Sequence, residues 1–381
     1  MAGLYVHVPF CRKKCSYCGF VSCPAPAEVI KRYFDALEQE ILLRAREPSI
    51  KEMYFDSLFI GGGTPSFVHH EYLCRIIERL YSNFHIAHGP ALEGTVECNP
   101  DSLTLEWLEV LKPYGINRIS IGVQAMDDRM LHVLGRVHDS RQVLDAVNSV
   151  RTVGIENISI DLMYSIPGQD MGALEQSLER ALALMPVHVS CYELTLEDGT
   201  VMSEAVRNGR AVYPDQETRL AFTRLAESIL ESRGLRQYEI SNFAVPGYEC
   251  RHNIGYWQGR EYLGLGCSAC SFIKGRRIRN DIRLDSWIAA LENGKPPIQE
   301  VEELDFEAAF REAFVMAMRM NRGVAIQDFR ESYNMDPVEY YGDLIPDMEA
   351  RGLMEFRRNG TCLALTERGR YISNYVLSNF V

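Results

Sequence analysis

Three cysteines, Cys11, Cys15 and Cys18, stand directly behind the apolar run Leu4-Tyr-Val-His-Val-Pro-Phe10, with Tyr17 before the last of them. The spacing is C-x3-C-x2-C. Three thiolates on one short loop can hold three irons of a four-iron cluster and leave the fourth without a protein ligand. An open iron beside a redox cluster takes an exogenous ligand, of which S-adenosylmethionine is the best known. The alternatives are three reduced cysteines in a turn, or part of a zinc site. Zinc wants a fourth Cys or His at similar spacing. Cys23 is the one local candidate, and Pro24 and Pro26 follow it at once.

Other residues suited to ligand binding are scattered behind it. Gly61-Gly62-Gly63-Thr64-Pro65 lacks Cβ atoms over three positions, so a ligand could approach the backbone and bond free amides and carbonyls. A tight turn entering a helix near His69 accounts for the same residues. Glu97 and Asp161 lie in apolar strand-like segments, where an unpaired carboxylate is costly. Ribose hydroxyls or the ammonium of an amino-acid ligand would satisfy them, as would a helix N-terminus or Arg136. Gln124 and Arg136 could reach a second polar ligand, Arg136 gripping a carboxylate in two-pronged fashion.

Positioning these residues falls to β-branched runs that alternate with amphipathic stretches. Strands are expected at Tyr5–Val8, Ser57–Ile60, Gly94–Cys98, Arg118–Val123, Ile158–Met163 and Val187–Leu194, apolar enough for buried parallel strands. Helices are expected between them, among them Ala27–Arg46, with Tyr33, Leu37 and Ile41 on one stripe, and Ala173–Ala183. Six β-then-α units predict an α/β fold, a parallel sheet curled into a partial (β/α)6 TIM-like barrel. A doubly wound open sheet competes, and periodicity does not separate the two. In either, ligands bind at the carboxyl ends of the strands, where the cysteine loop, the glycine run, Glu97, Gln124 and Asp161 all fall.

The chain divides into the barrel at 1–240, a closing segment at 241–297 and a smaller domain at 298–381. In the last, helices at Phe306–Met320, Ala325–Tyr333 and Pro337–Glu349 precede a hairpin with a tight Asn-Gly turn, a winged-helix-like pattern. Its many acidic residues and lack of a basic stripe favour a structural or lid role over DNA binding. The 381 residues, 46% hydrophobic, suffice for a large core plus an appended domain, and the net charge of −12 argues against nucleic acid or anionic membrane as partners. No stretch approaches the roughly 18 apolar residues of a membrane span. Eleven scattered cysteines do not form a disulfide framework, and the N-terminus shows no basic leader; a reducing cytoplasm is the expected location.

In order along the chain stand Cys11-x3-Cys15-x-Tyr17-Cys18, Gly61-Gly-Gly-Thr-Pro65, Val96-Glu-Cys-Asn-Pro100, Ile121-Gly-Val-Gln124, Leu134-Gly-Arg136 and Asp161-Leu-Met-Tyr-x-x-Pro-Gly168. Together they resemble the radical S-adenosylmethionine proteins of the oxygen-independent coproporphyrinogen III oxidase family. Gln237-Tyr-Glu-Ile-Ser-Asn-Phe243, the H-N-x-x-Y-W element at His252, Asn253, Tyr256 and Trp257, and Leu365-Thr-x-x-Gly369 extend the match over nearly the whole chain. The H-N-x-x-Y-W element is similar to the haem-chaperone, HemW-type branch.

The resemblance implies a [4Fe-4S] cluster on Cys11, Cys15 and Cys18, with S-adenosylmethionine on the open iron. Tyr5, Gly62, Gly63, Thr64 and Glu97 match positions around that molecule. Tyr17, Gln124, Arg136 and Asp161 match positions around a second one in the oxidase branch. An electron from the cluster, supplied by a donor such as flavodoxin or ferredoxin, would cleave the sulfonium to a deoxyadenosyl radical. The two functions implied are a chaperone that passes haem to an acceptor protein and an oxidase that decarboxylates coproporphyrinogen III. The oxidase branch has a further cysteine where this chain has Phe20, and a segment ahead of its first strand, which here is reached by Leu4. Both differences favour the chaperone. Haem would need an axial ligand, with His252 leading and Tyr256 and Trp257 flanking. Relatives often carry His where this chain has Cys270. Cys267 and Cys270 are either thiolate ligands or inert core, while Cys74, Cys98, Cys191 and Cys362 are expected in the core.

Overall fold

The computed structural model describes residues 1–381. Its sheet is built on β1 (Ala2–Val8), β2 (Tyr54–Gly62), β3 (His85–Ile86, a short partner of β2), β4 (Glu93–Cys98), β5 (Arg118–Gln124), β6 (Asn157–Tyr164) and β7 (His188–Glu193). The long strands pair in parallel as β1-β2-β4-β5-β6-β7. A doubly wound sheet reverses its strand order at a switch point. This one does not. Residues of all six strands also line one cavity of about 290 Å³, as a curled sheet requires. The partial barrel is therefore the fold, and the open-sheet alternative falls.

Both ends of the parallel set are extended. After β8 (Arg236–Glu239), β9 (Asn242–Ala244) pairs antiparallel with β7. On the other side β10 (Tyr262–Leu265) joins β1 in parallel, and β11 (Cys270–Ile273), β12 (Arg276–Asn280) and β13 (Ile298–Glu303) follow antiparallel. With β8 and β13 as free edges, the barrel stays open.

Local sequence explains the elements. β2 and β5 are buried almost end to end, as strands covered on both faces must be. The helix Ala27–Arg44 buries Tyr33, Phe34, Leu37 and Ile41 at helical spacing. Ser140–Thr152 starts from a capping box of Asp139 and Gln142.

One segment departs from the sequence expectation. The acidic run at the head of the last region is β13, exposed throughout and part of the large sheet. Arg276–Glu303 (3.0 Å), Arg277–Glu302 (3.0 Å) and Arg279–Glu300 (3.6 Å) ion pairs tie it to β12. Opposed charges, not apolar alternation, define this solvated edge, so hydrophobic periodicity is blind to it.

Beyond it a second core gathers Phe310, Phe314, Phe329, Leu363 and Phe380. The helices Phe306–Ala317 and Ile326–Tyr333 join β14 (Val324–Ala325), β15 (Met354–Arg357) and β16 (Cys362–Leu365), paired as β14-β16-β15. The single helix expected at Pro337–Glu349 is broken at Gly342, whose φ of 50° no right-handed helix tolerates. The hairpin turn is longer than a two-residue Asn-Gly turn, with Arg358, Asn359 and Gly360 all left-handed between paired Arg357 and Cys362.

Candidate functional site

The cysteine loop leaves the carboxyl end of β1 and is pinned at both sides. Cys11 N–H donates to the Cys23 carbonyl (3.2 Å) and Cys23 N–H to that of Pro9 (2.8 Å). Ser16 N–H and hydroxyl donate to the carbonyls of Leu134 (3.0 Å) and Val133 (3.1 Å). Burial pushes the Cys11 thiol up, and the charges of Cys18 and Cys15 push the same way. Burial raises the Cys23 thiol, with Lys14 opposing the shift and Asp285 adding to it.

A ring of hydrogen bonds ties two of these thiols to the rim. Thr64 Oγ1 donates to Cys11 Sγ (3.4 Å) and accepts from Asn99 Nδ2 (3.0 Å). Arg136 Nη2 donates to Asn99 Oδ1 (2.7 Å) and to the Gly122 carbonyl (2.6 Å), while its Nη1 reaches Cys15 Sγ (3.5 Å). Three cysteines on one pinned loop, with charged and neutral donors aimed at two of them, suit a thiolate-bound cluster. Arg136 was expected to grip a ligand carboxylate. Both terminal nitrogens serve the rim instead, leaving only the buried Nε without a partner. Asn99, the joint of this ring, stands in the sequence motif Val96-Glu-Cys-Asn-Pro100 at the end of β4, but its sequence context assigns it no role.

The glycine run also differs from expectation. Gly62 N–H donates to Glu97 Oε2 (3.0 Å), Gly63 N–H to the Val8 carbonyl (2.8 Å) and Thr64 N–H to that of Phe10 (2.8 Å). These amides are engaged, not free. Glycine is required because Gly62 has a φ of 111° and a Cβ there would sit 2.4 Å from the His7 ring, while one at Gly63 would sit 2.7 Å from the Phe10 carbonyl oxygen. The run locks β2 to the cysteine loop.

Below the rim lies the 290 Å³ cavity, lined by Tyr5, Glu97, Ser120, Asp161, Tyr192 and Arg118 among others. Burial raises the Glu97 carboxyl to about 7, with Gly62 and Arg118 opposing the shift and Asp161 adding to it. Asp161, which accepts from Ser120 (3.1 Å), is likewise raised by burial. Arg118, 2% exposed, has a buried Nε with no partner. Two acids and one guanidinium in a small polar chamber suit a zwitterionic ligand. Gln124 stands above it with a left-handed φ of 67°, uncommon for a residue with a Cβ. Tyr17 packs beside Leu134 and Met202, its phenol raised by burial.

His252 lies at the opposite end of the strands. It sits on the helix Arg251–Trp257, whose first amides donate to Glu93 at the start of β4 (2.8 and 2.9 Å). Its Nδ1 bonds Ser57 Oγ (2.9 Å), its Nε2 bonds Tyr256 Oη (2.9 Å), and its ring stacks on Phe59. Burial, with Arg260 and Arg118 nearby, lowers its pKa to about 3. Both nitrogens are committed, so the expected axial ligand is a buried brace under the barrel.

A larger cavity of about 700 Å³ opens between the cysteine loop, the β10–β12 ladder and the last module. Phe20, Tyr256, Trp257, Tyr262, Phe272 and Tyr333 supply aromatic wall, and Ala309, Ala313 and Met316 of the helix Phe306–Ala317 close it. Phe20 is 70% exposed. Cys267 is fully buried, raised to about 12 by burial, with its S–H on the Asp281 carbonyl (3.2 Å); it is inert. Cys270, half-buried, faces the cavity. Cys74, Cys98, Cys191 and Cys362 are buried as expected, and no cysteines are paired.

Residues 5–181 match the radical SAM superfamily, and residues 304–372 match the HemN C-terminal domain. A haem chaperone HemW of Bacillus subtilis is 33% identical over 384 aligned residues, covering 100% of this chain and 99% of the relative. One from Lactococcus lactis is 32% identical, covering 99% and 96%. In fold, the structure of the Escherichia coli coproporphyrinogen III oxidase HemN, a radical SAM enzyme, superposes with a TM-score of 0.85 at 23% identity, covering 100% of this chain and 89% of that one. No helix is long and apolar enough to cross a membrane. Identity of this extent along the full length places the chain in the HemW family of the radical SAM superfamily.

Proposed function

We propose that this protein binds haem and hands it to an acceptor protein, carrying a [4Fe-4S] cluster on Cys11, Cys15 and Cys18 and S-adenosylmethionine at the barrel rim. The carrying observation is the 700 Å³ aromatic cavity beside the cysteine loop, within the size range of cofactor sites and lined as a flat apolar macrocycle needs. The cluster, when bound, supplies one-electron chemistry toward the sulfonium. Around it Arg136 and Thr64 hold donors on the thiols, Tyr5 and Glu97 line the chamber for the nucleoside, and Gly62, Gly63 and Thr64 fix the rim that joins β2 to the cysteine loop. Asp161 of β6 lines the chamber, Gln124 ends β5, and Tyr17 and Arg136 stand at the rim beside the cysteine loop. Exposed Lys13 and Lys14 on the loop suit an acidic electron donor such as flavodoxin or ferredoxin.

The test is anaerobic reconstitution followed by haemin titration and a coproporphyrinogen assay on the same sample. Saturable growth of a Soret band without protoporphyrinogen formation is expected. Turnover without stable haem binding would replace the chaperone by the oxidase.

A further inference from the structure

The large cavity raises the question of what holds the iron. His252 and His7 are both spent: His7 bonds Tyr5 through Nδ1 and the Val21 carbonyl through Nε2, each at 2.9 Å. Cys267 points at Asp281. What remains is Cys270, the first residue of β11, free and half-buried on the cavity wall. Cys270 lines the cavity on the same face of β11 as Phe272, two residues on, which pairs with Tyr262 of β10. Arg279 stands directly opposite it in the ladder and also lines the cavity. That guanidinium reaches the Cys270 sulfur and makes a 3.6 Å contact with exposed Glu300. The wall also carries the buried indole N–H of Trp257, which has no partner.

We infer that haem enters this cavity with its iron on the Cys270 thiolate, a propionate on Arg279 and the macrocycle against Tyr256, Trp257 and Tyr262. The inference rests on the haem-binding reading above. A cysteine ligates iron through its sulfur, and Arg279 faces Cys270 across the ladder. The aromatic walls exclude water from the ring, and Arg279 at the mouth supplies charge where the carboxylates emerge. The ion pair of Arg277 with Glu312 joins β12 to the helix Phe306–Ala317 and closes the cavity over its guest.

The test compares haemin-loaded wild type with Cys270→Ser and Cys270→His, using cluster absorbance before haemin as the check of folding. Wild type should give the low-spin ferric resonance and red-shifted carbonmonoxy Soret band of thiolate ligation. Cys270→Ser should lose both and bind haem at least ~10-fold more weakly. Cys270→His, a second variant should serine unsettle the fold, should recover affinity with a nitrogen-ligated spectrum. Saturable haem binding with an unchanged spectrum in both variants would overturn the ligand while leaving the haem reading in place. No saturable binding by wild type would remove both.

Discussion

Two cavities share Tyr5 and Tyr256 as walls yet are built by opposite rules. The barrel chamber is small and polar, lined by Glu97, Asp161 and an Arg118 whose Nε has no partner. The interface cavity is more than twice as large, aromatic, and carries its few polar atoms singly. A closed, hydrogen-bonded chamber selects a small charged ligand in one orientation, whereas aromatic walls with one charged mouth accept a flat apolar one. On the proposed function, placing both on one sheet would let one chain serve a redox cofactor and a macrocycle without mixing their environments.

The comparison breaks most sharply at the cysteine loop. Cys15→Ala should abolish the cluster, read as loss of iron, sulfide and charge-transfer absorption, while haem binding persists within about threefold. Loss of both ligands would show that the cavities are not separate.

A second, smaller effect concerns pH. Glu97 is raised to about 7, above its ordinary value near 4.5, so the folded state holds a proton that the unfolded chain releases. Its contribution to stability is therefore present at low pH and falls as pH rises from about 4.5 through 7, the reverse of an ion-paired carboxylate. S-adenosylmethionine affinity should strengthen over the same window as the carboxylate forms. Glu97→Gln should flatten that dependence in calorimetric titration and leave haem binding untouched; a persisting slope would assign the titration to another group.

At the rim, Arg136→Gln withdraws a guanidinium from Cys15, and the cluster potential should fall by tens of millivolts in a redox titration followed by electron paramagnetic resonance. Thr64→Val removes a neutral donor from Cys11 and should shift it in the same direction by less. Equal shifts would mean that charge is not what Arg136 contributes.

The strands, their order in the chain and the cysteine loop were legible because each announces itself locally: buried parallel strands are apolar runs, and three thiols on one loop have few other uses. What escaped depended on distance in sequence. Thr64, Asn99 and Arg136 form one ring only after β2, β4 and β5 line up. His252 looked like a ligand because histidine beside two aromatics has that chemistry. Ser57, 195 residues away, takes one of its nitrogens, and no reading of the helix alone could show it. The edge strand β13 hid because charge pairing defines it, not burial.

The central claim is that the macrocycle occupies the interface cavity and not the barrel chamber. The haem dissociation constant of Ala313→Trp, which fills that cavity from the helix Phe306–Ala317, tests it most directly. Affinity weakened by about tenfold or more, roughly 1.4 kcal/mol, with cluster absorbance intact is the predicted result. Wild-type affinity in that variant would contradict the account.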